Sequence, residues 1–382
     1  MPGLTLRRDS AASYDFDLVR GLAAVVVLLG HWRNLFFVTY GEVSAPTRLD
    51  QILYFFTGYG HQAVIVFFVM SGYLVGSGVI RNIDEGKWSW RKYAVNRFTR
   101  LYVVLIPALI VGGLLDSAGI HWFGVIGPYA GAGFANMFPV PVQDRLGAVP
   151  LIGNLGFLQT IGVPTFGSNG PLWSLANEFW YYILFPLFWL SLRLPGNTLR
   201  RVIYLGLGLG VAVLIGMPIL SLFGVWLLGA AIAQVTLPRT LGHSLFRWLS
   251  GLGFVSAAVL IRLNLVPEGL FADYFLGVMF ALWSASTLMR SDRVCSEWYR
   301  HCARAISERS YTLYLVHLPA LVFAYTWIVG SSGPWQPSLK AYATGVIVLM
   351  GTLIYSELMW RLFESKTERI RRRLSDRVLV RA

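Results

Sequence analysis

Charged residues are scarce in this sequence: Asp, Glu, Lys and Arg make up 13% of its 382 residues, against roughly 25% in an average soluble domain. With 55% of the chain hydrophobic and a mean hydropathy of +0.58, too little polar surface is available to cover the apolar remainder, which excludes an ordinary water-soluble fold. Cysteine is limited to Cys295 and Cys302, both in a loop expected to face the reducing cytoplasm, so neither a disulfide nor a metal site is expected. No cleavable leader is expected, because the first residues are polar and the apolar run from Leu18 is too long and lacks a small-residue cleavage site. Internal repeats, low-complexity tracts and signs of a second soluble domain are absent from the sequence. A single membrane domain over residues 1–382 is expected.

What the sequence has in quantity is apolar runs long enough to cross a hydrocarbon core about 30 Å thick, which takes roughly 20 residues of helix. They run from Leu18 to Tyr40, Gln62 to Ile80, Leu101 to Ile120, Pro171 to Leu192, Val202 to Gly216, Pro218 to Val235, Trp248 to Leu265, Leu270 to Met289, Tyr311 to Val329 and Ala341 to Phe363. The expected fold is all-α, a polytopic bundle of about ten transmembrane helices.

Acidic residues number 19 against 32 basic ones, a formal charge of +13. Their placement decides what the charge means, since membrane proteins concentrate Lys and Arg in cytoplasmic loops. With the N-terminus inside, 26 of the 32 basic residues fall in alternate, inward-facing connections. Both termini are therefore expected in the cytoplasm, residues 364–382 as a basic tail, and nucleic acid is not expected as a partner. The connection from His121 to Gly170 is rich in Gly and Pro and holds only a short apolar piece, which reads as an extracytoplasmic cap or re-entrant segment. Such a loop serves either as a lid or simply as packing.

Ionisable residues inside a membrane are costly and default to functional hypotheses. Arg20 and His31 are eleven residues apart, which places them on one face of a helix about 16 Å apart along its axis. Arg20 then sits near the cytoplasmic interface and His31 about 20 Å above it. A structural reading, in which Arg20 anchors the topology and His31 bonds a neighbouring helix, stays open. Arg97 and Arg100 at i, i+3 suit a phosphate, which guanidinium binds bidentately, although inside-positive bias also explains them. Glu178 and Tyr182 share a face at i, i+4, with Glu178 about 10 Å below the external surface and so near the depth of His31. A carboxylate and an imidazole at one level suit general-base chemistry; a buried structural pair is the alternative. His317 follows Ser310 and Tyr314 near the cytoplasmic end of another helix, and reads as a packing or donor-side residue rather than the base.

Together with FFVMSGYLVG, these segments resemble the acyltransferase-3 family of bacterial membrane O-acyltransferases over essentially the whole chain. The basic residue and histidine separated by ten positions are Arg20 and His31, and the R-x-x-R element is Arg97 and Arg100. The FF-x-x-SG-[FY] segment is Phe67, Phe68, Ser71, Gly72 and Tyr73. PLWSL-x-x-E runs from Pro171 through Trp173 and Ser174 to Glu178, and SY-x-LYL-x-H from Ser310 through Tyr314 to His317. Where many members carry two adjacent acids and then Gln, this chain has Glu178, Phe179 and Trp180, so only the first carboxylate carries over.

The resemblance implies transfer of an acyl group, usually acetyl, from cytosolic acyl-coenzyme A to a hydroxyl of an extracytoplasmic or lipid-linked glycan, in the bacterial cytoplasmic (inner) membrane. His31 and Glu178 are then the expected catalytic residues, and Arg20, Arg97, Arg100 and His317 the expected donor-binding residues. Ser71, Trp173, Tyr182 and Tyr314 are the expected substrate-binding residues. No permanently bound cofactor and no metal are expected; acyl-coenzyme A is a substrate, lipid a surrounding partner, and the sequence carries no signal of oligomeric state. Direct attack by the sugar hydroxyl and passage through an acyl-histidine both remain open. A transporter or flippase for a glycan or lipid-linked intermediate is the alternative function, since intramembrane charge is common to both classes, although the paired halves frequent in transporters are not evident.

Overall fold

The computed structural model describes residues 6, 9–131, 134, 137–194, 196, 198–234, 244–289 and 295–379. Among these the regular structure is helical, and extended pairing is confined to two isolated bridges, Phe37 to Trp335 and Gln159 to Val163. The helices are α1 (Ala11–Phe36), α2 (Arg48–Phe56), α3 (Gly60–Asp84), α4 (Trp90–Phe123), α5 (Ala148–Leu155), α6 (Leu172–Arg193), α7 (Thr198–Leu220), α8 (Phe223–Ile232), α9 (Ser244–Arg262), α10 (Leu270–Leu288), α11 (Glu297–Ile328), α12 (Leu339–Leu362) and α13 (Thr367–Leu379). Hydroxyl side chains open several of them. Ser10 accepts from the Ser13 N–H at α1, Ser89 from Lys92 at α4 and Ser338 from Ala341 at α12, each satisfying a backbone donor that the first helical turn leaves over.

Seven helical stretches among the described residues are long and apolar enough to cross a membrane: Arg48–Asp84, Trp90–Phe123, Thr198–Leu220, Leu245–Arg262, Leu270–Leu288, Glu297–Ile328 and Leu339–Asp376. The expected span from Pro218 to Val235 takes a different form. Gly216 adopts φ 63° and ψ −176° inside α7, Pro218 brings no N–H, and the helix that follows, α8, has only ten residues. Arg7, Arg8, Arg239, Arg290, Arg293 and Arg381, all counted as inward-facing in the sequence, lie outside the described residues, as do positions 380–382 of the expected tail.

The chain forms two compact units: Met1–Ala23, His61–Trp88 and Asn177–Glu308 make the first, and Ala24–Gly60, Ser89–Ala176 and Arg309–Ala382 the second. In the first, α3 and α8 approach through small residues. A Cβ on Gly72 would fall on the Trp226 carbonyl, and one on Gly229 would fall on that of Val69, the close backbone approach that glycine permits between membrane helices. Trp226 and Tyr181 are fully buried beside this crossing. The break between α7 and α8 is also satisfied internally, because the Tyr181 hydroxyl donates to the Ile219 carbonyl (2.7 Å) and that of Tyr274 to Ser221 (3.0 Å). In an apolar solvent such carbonyls have no water to turn to.

In the second unit, Pro319 inside α11 packs on Gly112 of α4 and, lacking an N–H, gives no helical bond to the Leu315 carbonyl four residues before it. The Asn169 amide donates to that carbonyl instead, at 2.8 Å. The described part of the connection between α4 and α6 is held by side-chain hydrogen bonds. Buried Asp116 of α4 accepts from both the backbone N–H and the hydroxyl of Ser168, each at 2.7 Å. Asn154 donates to Pro150 and Pro164 and accepts from Phe166, and Gln159 donates to Leu172. Arg145 donates to the Val140 carbonyl at 2.9 Å and faces the Phe138 ring; burial lowers its guanidinium below the ordinary value, and the Asp116 carboxylate works against that.

Candidate active site

In the second unit, α1 and α11 bring two histidines together. His31 Nδ1 lies 2.8 Å from His317 Nε2. The ring centroids are 5.0 Å apart with planes 23° from parallel, so with nitrogens this close the rings meet edge to edge in nearly one plane. The other nitrogen of His317, Nδ1, is 2.8 Å from the Leu313 carbonyl one turn earlier on α11. His317 is fully buried, whereas His31 keeps partial exposure.

Tyr314 lies beside this pair, its ring 6.3 Å from that of His317, and its hydroxyl is 2.7 Å from the Ser174 hydroxyl and 3.4 Å from the Pro171 carbonyl. The PLWSL and SY-x-LYL-x-H segments therefore meet through Ser174 and Tyr314. Trp173 occupies the first turn of α6, partly exposed.

In the first unit the cluster is built on a carboxylate. Glu178 Oε1 accepts the hydroxyl of Ser71 at 2.7 Å and that of Tyr182, which sits one turn later on α6. Ser71 in turn accepts from Trp226 Nε1 at 3.2 Å. An ionised carboxylate accepts only, so two O–H donors suit it.

Arg20, also in the first unit, is engaged locally: its Nη2 is 3.1 Å from Asp17, its Nε donates to Ser307 at 2.8 Å, and Ser307 donates to Asp17 at 2.8 Å. Arg97 and Arg100 lie on the first turns of α4 in the second unit, and the Arg100 guanidinium stands 5.9 Å from the centre of the Tyr311 ring. The basic helix α13 packs on α4.

Of the residues singled out in the sequence, the structure joins His31 to His317, and Ser71 and Tyr182 to Glu178. Four partners were not singled out. Asp17, at i−3 from Arg20, is within reach of helical spacing, and Ser174 lies inside the PLWSL segment. Ser307 and Trp226 lie far along the chain and carry no signal that points at Arg20 or Ser71. No group of three or more potential metal ligands occurs among the described residues.

A family model described as an acyltransferase domain matches residues 13–357. Provisionally named O-acetyltransferases of Staphylococcus aureus, from strains COL and N315, are 24% identical over 343 residues, which cover 80% of this chain and 52% of theirs. The chain thus spans about half the length of these relatives. Acyltransferase MdmB of Streptomyces mycarofaciens is 25% identical over 386 residues, covering 92% of this chain and 90% of its own. No solved structure matches the chain significantly.

Proposed function

The chain belongs to the acyltransferase-3 family, and from that premise we propose that it is an integral-membrane O-acyltransferase. It moves an acyl group, acetyl first among them, from cytosolic acyl-coenzyme A to a hydroxyl of an extracytoplasmic glycan such as O-antigen or exopolysaccharide. The observation that carries the reading is the hydrogen-bonded pair His31 and His317, an imidazole partly open to its surroundings backed by one that is closed off, within helices that are otherwise largely apolar. The names of the staphylococcal relatives support acetyl transfer to oxygen, and that of MdmB supports acyl transfer more broadly.

In this reading the chain crosses the bacterial cytoplasmic membrane about ten times with both termini inside, as the basic residues of alternate connections support. Arg97 and Arg100 hold the phosphates of coenzyme A, with Arg20 on the same donor side. The acceptor hydroxyl attacks the thioester carbonyl carbon while its proton passes to His31. The carbon–sulfur bond then breaks, and coenzyme A leaves as the thiol, taking that proton back. Glu178 polarises the acceptor or the imidazole, and Ser71, Trp173, Tyr182 and Tyr314 bind substrate. The competing sequence places the acyl group on His31 first.

The test is transfer of radiolabelled acetyl from acetyl-coenzyme A to surface polysaccharide by the purified protein in nanodiscs. Wild type transfers label, and His31→Ala, still folded, does not; near-normal transfer by His31→Ala contradicts the assignment. Exchange of label into free coenzyme A without acceptor, lost in His31→Ala, selects the acyl-histidine route.

A further inference from the structure

Imidazole nitrogens are not interchangeable: in a neutral ring one carries hydrogen and the other a lone pair. Which is which follows here from a fixed point outside the pair. The Leu313 carbonyl can only accept, so His317 Nδ1, 2.8 Å away, carries hydrogen and donates to it. The Nε2 of a neutral His317 is then an acceptor, and His31 Nδ1, 2.8 Å from it, must be the donor. Three of the four ring nitrogens are committed by this chain of bonds. The fourth, His31 Nε2, holds a lone pair and makes no hydrogen bond among the described residues.

The alternative, a cationic His317 donating from both nitrogens, puts a charge on a fully buried ring. Neither ring has a carboxylate partner among the described residues, and burying a charge without one is costly. The neutral pair is therefore the stable arrangement. It also selects between the two histidines, since the free lone pair falls on the ring that is partly exposed and not on the one that is closed off.

We propose that His317 is a positioning residue that holds His31 in the Nδ1–H tautomer, so that Nε2 of His31 is the atom that takes the acceptor's proton. The proposal rests on the acyl-transfer reading for its catalytic half. When Nε2 gains the proton, His31 still donates from Nδ1 to His317, and the bond strengthens as the donor becomes charged. His317 thus stabilises the charged ring without touching either substrate.

The experiment combines two readouts on the full-length protein in nanodiscs. The first is the tautomer of His31, read by nitrogen NMR of protein carrying isotopically labelled histidine, with the signal assigned by its loss in His31→Gln. In wild type above the imidazole titration range, His31 is expected protonated at Nδ1 and bare at Nε2; in His317→Leu the populations shift toward Nε2–H. The second is transfer kinetics. His317→Leu is expected to lower kcat about 100-fold or more, the scale on which a misplaced tautomer acts, while KM for acetyl-coenzyme A changes less than about twofold. His317→Gln, whose side-chain carbonyl can accept from His31 Nδ1, should recover kcat to within about tenfold of wild type.

An Nε2–H tautomer in wild type overturns the proposal, as does a His317→Leu protein that keeps its kcat or loses only donor affinity. The NMR result needs no catalysis. Absence of acyl transfer by the wild-type protein would therefore sink the functional reading while leaving the tautomer assignment to stand or fall by itself.

Discussion

Ser71 donates its hydroxyl to the Glu178 carboxylate over 2.7 Å, tying the serine of FFVMSG to the glutamate of PLWSLANE. Tyr182 donates to the same oxygen, and Trp226 donates to Ser71, so the carboxylate closes a chain of donors. A glutamine at this position offers one acceptor and two donors. Glu178→Gln should accordingly lower acyl transfer about 100-fold, on the scale of losing a positioned acid–base group, with the purified protein still folded. Ser71→Ala should cost about 1–2 kcal/mol, because the Trp226 N–H is left without its acceptor. Label transfer and thermal unfolding in nanodiscs measure the two effects separately, and Glu178→Gln activity within tenfold of wild type would remove the carboxylate from the reaction.

Arg97 and Arg100 are proposed to meet the phosphates of the donor, which predicts a defect in affinity rather than in chemistry. Replacing either by Gln should raise KM for acetyl-coenzyme A about tenfold and leave kcat within about twofold. Because such contacts are partly exposed and ionic, wild-type KM should rise with salt, and the variants should respond less. A fall in kcat with KM unchanged would instead place these arginines outside donor binding.

The sequence discloses the fold through composition. Apolar runs of spanning length and basic connections point to a helical membrane bundle before any contact is known, and the boundary expected between Gly216 and Pro218 falls at a kink inside α7. How short α8 is does not follow, because the apolar pattern continues across the break while the helix does not. The site is legible where a residue is out of character with its surroundings: His31 and Glu178 stand out as ionisable groups in apolar runs. Their partners are another matter. His317 is 286 residues from His31 and Trp226 is 155 from Ser71, and local periodicity says nothing at such separations. Asp17 is the opposite case, a carboxylate three residues from Arg20 whose contact helical spacing makes readable.

The connection between α4 and α6 is held at Asp116, which takes both the N–H and the hydroxyl of Ser168 while fully buried. Asp116→Asn keeps one acceptor for the N–H, but its amide bonds the Ser168 hydroxyl only if that hydroxyl turns to accept, which leaves the hydroxyl hydrogen without its acceptor, so it should destabilise by about 1–3 kcal/mol, the scale of an unsatisfied buried polar group. Ser168→Ala removes the hydroxyl and keeps the backbone bond, so about 1 kcal/mol is expected. Protease cleavage within residues 124–171, followed under native conditions, should rank Asp116→Asn above Ser168→Ala and wild type. Equal cleavage of all three would mean that the anchor does not hold this segment.

Asn169 and Pro319 make a prediction that depends on their coupling. Pro319 leaves the Leu315 carbonyl without its helical donor, and the Asn169 amide supplies one at 2.8 Å. Asn169→Leu alone should therefore cost about 1–3 kcal/mol, because a buried carbonyl loses its partner. Pro319→Ala restores a backbone N–H that can serve the same carbonyl, so in that background the cost of Asn169→Leu should shrink by at least about 1 kcal/mol. Thermal unfolding of wild type, the two single variants and the double variant in nanodiscs closes the cycle. Strict additivity would show that the Leu315 carbonyl is not the group through which Asn169 stabilises α11.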